Sequence, residues 1–194
     1  MDTRLYIDDV PENWPVSTGH LPPAPQVDTL LAEAHARFKS LDEGKVADYI
    51  PALAATPKDL FGICVVATSG DVFSIGDTDY EFSIQSISKP FVFALVSQAL
   101  SCQQARYKIG VNATGLPFNS VMAIELNESR TMNPMVNAGA IATTSLVPGA
   151  TADEKWQFIH DGLSRLAGRQ LTLNTEVYES EAASNQRNQG IAHL

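Results

Sequence analysis

Two apolar, β-branched runs, residues 61–68 and 71–76, flank the pair Ser69-Gly70, and this pattern predicts two strands joined by a tight turn. Residues 91–100 are apolar nearly all round, which predicts a helix buried in the middle of a domain. Pro90 suits the first turn of that helix, where a missing N–H costs little. Upstream, the leucines, alanines and phenylalanine of 30–38 recur at helical spacing, with Asp28 or Thr29 as the predicted cap. Residues 45–60 read as a linker with a short helix around 51–55. Residues 101–194 read as a mostly helical lobe, with one helix after an asparagine-rich block at 133–141 and another over 152–160. Prolines at 11, 15, 22, 23 and 25 make 1–26 an extended lead-in that wraps the surface or stays mobile. The elements add up to an α+β chain.

Between the hairpin and the buried helix lies FSIQSISKPF, residues 82–91, which places Ser86 and Lys89 three positions apart at a helix start. On a helix such positions share a face, so the Lys89 amine can reach the Ser86 hydroxyl. Lysine is ordinarily protonated at neutral pH and cannot act as a base. Burial and the positive end of a helix dipole both disfavour the charged form and lower its pKa, so the pair can supply its own activated nucleophile. An S-x-x-K match alone is weak, and its bland reading is two residues on a solvated helix face. The hairpin before it and the apolar helix after it strengthen the match. A hairpin, then a central helix with the serine at its mouth, resembles the serine β-lactamase and penicillin-binding class. That resemblance implies an antiparallel sheet, incomplete in this chain, packed against a helical lobe.

Four blocks resemble a narrower group, the bacterial-type glutaminases. They are GKVADYIP at 44–51, FSIQSISK at 82–89, PFNS at 117–120 and NPMVNAGAI at 133–141. A fifth stretch, 179–188, is similar to the family's S-E…N-x-R-N segment. The resemblance implies hydrolysis of the side-chain amide of L-glutamine to L-glutamate and ammonia. Ser86 would be the nucleophile, Lys89 its base, and Ser86, Asn137, Glu181 and Asn188 would bind substrate. The chemistry agrees, since an α-ammonium needs a carboxylate partner and an α-carboxylate needs amide donors. Plainer readings remain open for the same residues. Asn137 precedes an Ala-Gly-Ala run and fits a helix N-cap. Glu181 lies in an acidic stretch and fits a solvated surface charge. Gln85 fits either a hydrogen-bonding neighbour of the serine or an exposed turn. The histidines at 20, 35, 160 and 193 have no metal-ligand spacing, so surface or core roles are expected.

Composition narrows the setting. With 194 residues, 44% hydrophobic and 18% charged, the chain can bury one sizeable core. A net charge of −9 argues against sequence-independent nucleic-acid binding, which relies on Lys and Arg. Cys64 and Cys102 are expected to be reduced and buried. The first ten residues lack a basic start followed by an apolar core, and no run of apolar residues is long enough to span a membrane, so a cytoplasmic location is expected. Amide hydrolysis by an activated serine calls for no cofactor or metal. The chain stops in what reads as the opening of a helix, so 27–194 is expected to be the N-terminal part of a single glutaminase domain, with 1–26 as its lead-in. A low or absent turnover, and association into a homo-oligomer through the hairpin's unpaired edge, are the corresponding expectations. Alternatives from other classes are a non-catalytic binding fragment and another acyl-serine hydrolase of the penicillin-interacting class.

Overall fold

Alternation in the two β-branched runs becomes an antiparallel hairpin in the computed structural model, which describes residues 21–125 and 133–193. Strand β1 (Gly62–Val66) pairs with β2 (Val72–Gly76), placing Cys64 opposite Ser74 and Val66 opposite Val72. Successive side chains point to opposite faces. Phe61, Ile63, Val65, Phe73 and Ile75 are half-buried, whereas Cys64, Val66, Val72 and Ser74 face outward. The inner face meets helix α1 (Ala24–Phe38), where the His35 ring stacks on Phe61 at 5.2 Å between centroids.

Helix α1 begins earlier than its apolar pattern predicts. Pro23 is its N-cap residue and Pro25 lies in its first turn, where the fixed φ of proline suits the helix and no N–H is needed. Thr29 therefore does not cap. Its hydroxyl donates back to the Pro25 carbonyl at 2.8 Å, one turn inside the helix. The end of the proline-rich lead-in is thus helical, while Pro11 and Pro15 lie outside the described residues. The cysteines also depart from expectation. Both are free thiols and both are exposed: Cys64 because alternation turns it to the outer face of the hairpin, Cys102 because it opens helix α4 (Cys102–Ile109) on the solvent side.

The chain divides into two compact units. The first holds α1 and the hairpin. The second holds Lys45–Thr56 and the chain from Glu81 onward. Its described elements are α2 (Pro51–Ala54), a 3-10 turn (Gln85–Ile87), α3 (Ser88–Leu100), α4, α5 (Met122–Glu125), α6 (Asn137–Ser145), α7 (Ala152–Ala167), α8 (Thr175–Ser184) and α9 (Gln186–His193). The apolar helix is the packing hub of this unit but is not buried all round as its pattern predicts. Val92, Leu95 and Val96 are buried, whereas Phe91, Ala94, Gln98 and Ala99 are exposed, because the described α4, α6 and α7 cover only part of its circumference. α3 packs against α4, α6 and α7, with Val92 and Val96 in one cluster with Val147 and Ile159. A second cluster of Ile124, Ala138 and Ile191, with Ile141 against it, joins α5, α6 and α9. Three of the described helix starts are fixed by sequence-local caps, the first being Ser101, whose hydroxyl accepts from the Gln104 N–H on α4. Thr151 and Glu154 form a reciprocal capping box on α7, and the Asn174 side chain accepts from the Val177 N–H at 3.0 Å on α8.

Close approach of α7 to α3 depends on a glycine. A Cβ at Gly162 would run into both methyl carbons of Leu95. Gly162→Ala gains about 1 kcal/mol of helix propensity, but overpacking a core costs about 1–3 kcal/mol. We predict net destabilisation, read as a lower denaturant midpoint with an unchanged slope. A higher midpoint would show that Leu95 repacks freely.

Candidate active site

The sequence places Ser86 at the mouth of α3, and the structure adds a kink just before it. Gln85 has φ of +46°, a left-handed conformation uncommon for a residue with a side chain. Ser86 follows in the 3-10 turn and is exposed, and Lys89 is half-buried in the first turn of α3. The Gln85 side chain donates from Nε2 to Ser83 Oγ at 3.3 Å, so it braces the turn and makes no bond to Ser86.

Lys89 finds its partners in the asparagine block. Its Nζ donates to Asn137 Oδ1 at 2.8 Å and to the Met135 carbonyl at 3.2 Å, and lies 5.8 Å from the centroid of the Phe118 ring. Among the described residues no hydrogen bond joins Nζ to Ser86 Oγ. Burial holds the Lys89 pKa below the ordinary lysine value of 10.5. A neutral amine has two N–H donors and one lone pair. The two acceptors take both donors of that form, or two of the three donors of an ammonium.

Asn137 does not cap its helix with its side chain. Val136 is the N-cap residue of α6, and the Asn137 backbone N–H is satisfied by the Phe118 carbonyl at 2.8 Å. The PFNS segment thus meets one of the orphan donors at the helix start, and the Asn137 amide is left for other work. Its Oδ1 accepts from Lys89 and its Nδ2 donates to Asn188 Oδ1 at 2.9 Å. The loop before it is braced by Asn133, whose Oδ1 accepts from the Met135 N–H at 2.7 Å and whose Nδ2 donates to the Asn112 carbonyl at 3.0 Å. Packing of α6 against α9 brings Asn188 to Asn137.

Asn137 and Asn188 open into a cleft of about 380 Å³ that Glu181 also lines, a volume in the range of small-molecule sites. Glu181 is half-buried on α8, not fully solvated. It is placed there by the packing of α2 on α8, which the Ser180 hydroxyl fastens by accepting from the Ala52 N–H at 3.1 Å. Three of the five residues singled out by sequence, Asn137, Glu181 and Asn188, therefore share one cleft, and Lys89 is tied to it through Asn137. Ser86 does not line the cleft. Tyr49, Phe118, Asn119 and Arg187 also line it and were not singled out, although Tyr49, Phe118 and Asn119 stand inside the GKVADYIP and PFNS blocks and Arg187 directly precedes Asn188. The turn that carries Tyr49 holds an exposed pair, Lys45 Nζ to Asp48 Oδ2 at 2.9 Å. Their hydrogen bond, aided by their opposite charges, raises the Lys45 pKa and lowers that of Asp48, and solvent screening leaves it little weight in stability.

A second hollow, about 440 Å³, is lined by Asp161, Ser164, Arg165, Gly168, Arg169 and Gln170 and by none of these residues. Two of the described histidines, His160 and His35, serve structure. His160 Nε2 lies 2.9 Å from the Leu171 carbonyl, and His35 packs on Phe61.

Comparison with known proteins bears on the fold and the family. A solved structure described as probable glutaminase ybaS superposes with a TM-score of 0.85 at 42% identity, covering 88% of this chain and 55% of that one. A probable glutaminase from Bacillus subtilis, solved in complex with 6-diazo-5-oxo-L-norleucine, gives 0.70 at 29% identity, covering 93% and 53%. Fold and likeness together define an α+β protein of the β-lactamase-like class. Glutaminase 2 of Yersinia pestis is 60% identical over 179 residues, which are 92% of this chain and 53% of that protein, and a Brucella canis glutaminase is 49% identical over 164 residues, covering 84% and 52%. The glutaminase family model matches residues 44–194, and the chain belongs to the glutaminase family. It spans about half the length of the curated relatives it matches.

One glycine holds the asparagine block against α6. A Cβ at Gly139 would strike the backbone carbonyl of Asn133, which has no side-chain freedom with which to move aside. Gly139→Ala is therefore predicted to displace the Asn133–Met135 loop and cost about 1–3 kcal/mol in thermal or denaturant unfolding. Full stability in Gly139→Ala would contradict this.

Proposed function

We propose that this chain carries the nucleophile and part of the substrate site for hydrolysis of L-glutamine to L-glutamate and ammonia through an acyl-enzyme on Ser86. The observation that carries the reading is the hydrogen-bonded chain from Lys89 through Asn137 to Asn188, which ties the base of an S-x-x-K pair to a cleft containing Glu181. With its two N–H groups given to Met135 and Asn137, a neutral Lys89 keeps its lone pair for the Ser86 proton. Ser86 Oγ attacks the side-chain amide carbon while Lys89 takes the hydroxyl proton. The tetrahedral intermediate collapses, the C–N bond breaks, and Lys89 returns the proton so that ammonia leaves. Water then attacks the ester, passes a proton back through Lys89, and frees glutamate and Ser86. The Ser86 backbone N–H, in a first turn without an intrahelical acceptor, donates to the developing oxyanion. Glu181 pairs with the substrate α-ammonium, and Asn137 and Asn188 orient the α-carboxylate.

The setting proposed with this chemistry is cytoplasmic, with L-glutamine as the small-molecule partner and no nucleic acid or membrane surface. Two exposed free thiols, a net charge of −9 and the absence, among the described residues, of a helix long and apolar enough to cross a membrane all fit it. A homo-oligomer is proposed from the outward-facing Val66 and Val72 of the hairpin, an apolar strand face that association would cover.

The test is ammonia release from L-glutamine, with intact-mass detection of covalent labelling by 6-diazo-5-oxo-L-norleucine. Ser86→Ala should abolish both. Lys89→Arg, which keeps a positive charge but cannot serve as a base, should lower the labelling rate by about a hundredfold or more. L-Asparagine should be a poor substrate, because a site that clamps both ends of glutamine leaves polar groups unpaired with a shorter chain. Labelling that survives Ser86→Ala would sink the serine mechanism.

A further inference from the structure

The carbonyl of the left-handed residue before the nucleophile is held by Ser88. Ser88 Oγ donates to the Gln85 carbonyl at 2.7 Å, and the Ser88 backbone N–H donates to the same carbonyl. That carbonyl belongs to the peptide joining Gln85 to Ser86. The chain has no cis peptide among its described residues, and a trans peptide is planar, so its C=O and N–H point in opposite directions. Fixing the Gln85 oxygen against Ser88 therefore fixes the direction in which the Ser86 N–H points. It also fixes the start of the Ser86 side chain, because the same plane sets the path of the backbone into Ser86 Cα.

Gln85 needs such a restraint. At φ of +46° a residue with a Cβ is strained, and without an anchor the turn would relax toward an ordinary right-handed start. Its own side chain braces only the upstream side, through Ser83. Ser88 is half-buried and stands between Ser86 and Lys89 in the sequence, and its hydroxyl bonds neither to Lys89 nor into the cleft.

We propose that Ser88 is a positioning residue for acylation. Its hydroxyl clamps the Gln85–Ser86 peptide plane in the left-handed turn, and so aims both the Ser86 hydroxyl and the Ser86 N–H at the reacting carbon and its oxygen. The proposal rests on the assignment of Ser86 as nucleophile and adds to it a specific division of labour: Lys89 moves the proton, and Ser88 sets the geometry. Its hydroxyl is committed to the Gln85 carbonyl and it does not line the cleft, so its loss should affect the rate of bond formation and leave ligand affinity alone.

The experiment is the rate of covalent labelling by 6-diazo-5-oxo-L-norleucine as a function of its concentration, on the full 194-residue chain, with the melting temperature of each variant measured alongside. Ser88→Ala should lower the limiting rate about ten- to a hundredfold, the size of effect expected of a misplaced reacting group, with the half-saturating concentration unchanged. Ser88→Thr, which keeps the hydroxyl, should restore most of the rate. Gln85→Gly in the Ser88→Ala background should restore part of it, because glycine adopts φ above zero without a clamp. A merely structural role for Ser88 would not be relieved by a glycine at 85. The clamp is refuted by a Ser88→Ala variant that labels at the parent rate, or by one that is slow and stays equally slow with glycine at 85. Ser86→Ala, run in parallel, separates the two claims. Labelling of that variant would overturn the serine mechanism itself, whereas its silence together with full-rate Ser88→Ala would overturn only the clamp.

Discussion

Everything proposed for this site depends on how the Lys89 amine is held. An exposed lysine is a solvated cation with three donors and nothing to offer as a base. Here the amine is drawn in beside α6 and meets two acceptors, Asn137 Oδ1 and the Met135 carbonyl. Those acceptors also favour the ammonium form, so the arrangement is a contest between hydrogen bonding and burial. Burial prevails in direction, with the pKa below 10.5. Either outcome at the nitrogen leaves Asn137 oriented, since its Oδ1 must face a donor, which turns its Nδ2 toward Asn188.

The backbone around the site serves to deliver that one contact. α3 is held by α4, α6 and α7, which bury Val92, Leu95 and Val96 and leave Phe91, Ala94, Gln98 and Ala99 exposed, and that packing fixes where its first turn emerges. α6 approaches the Asn133 loop closely enough that only glycine fits at 139, which brings Met135 and Asn137 to the lysine together. Phe118 contributes its carbonyl to the start of α6 and its ring to the flank of the amine. The cleft is completed from a distance in sequence: Ala52 and Ser180, 128 positions apart, close α2 on α8 and carry Tyr49 and Glu181 to the same wall.

Local rules made part of this legible in the sequence. The hairpin follows from period-two alternation around a Ser-Gly turn, α3 from a largely apolar run, and the place of Ser86 and Lys89 at its start from their position between hairpin and helix. What could not be read was decided by partners remote in the chain. Asn137 has the local signature of an N-cap, and it is released from that task only because the Phe118 carbonyl takes over the helix start. Glu181 has the composition of a surface charge and becomes half-buried through α2. Lys89 is within a turn of Ser86, but its hydrogens go to acceptors 46 and 48 positions away. The start of α1 is hidden for a different reason: a run of prolines reads as extended chain, whereas a proline in a first turn is as well suited to a helix. The kink at Gln85 had no sequence signal, since glutamine is not a residue that favours positive φ.

The most direct test of the account is the titration of Lys89 itself, followed by NMR through its side-chain ε carbon in the intact protein, with Lys89→Arg to assign the signal. The account predicts a midpoint below 10.5, so that the neutral, base-competent fraction grows as pH rises through a range lower than that of the exposed lysines. Asn137→Ala, which removes an acceptor that favours the charged form, should move the midpoint lower still. A Lys89 that titrates at or above the ordinary lysine value, indifferent to Asn137, would contradict the account: the amine would be a solvated cation, and Ser86 would have no base.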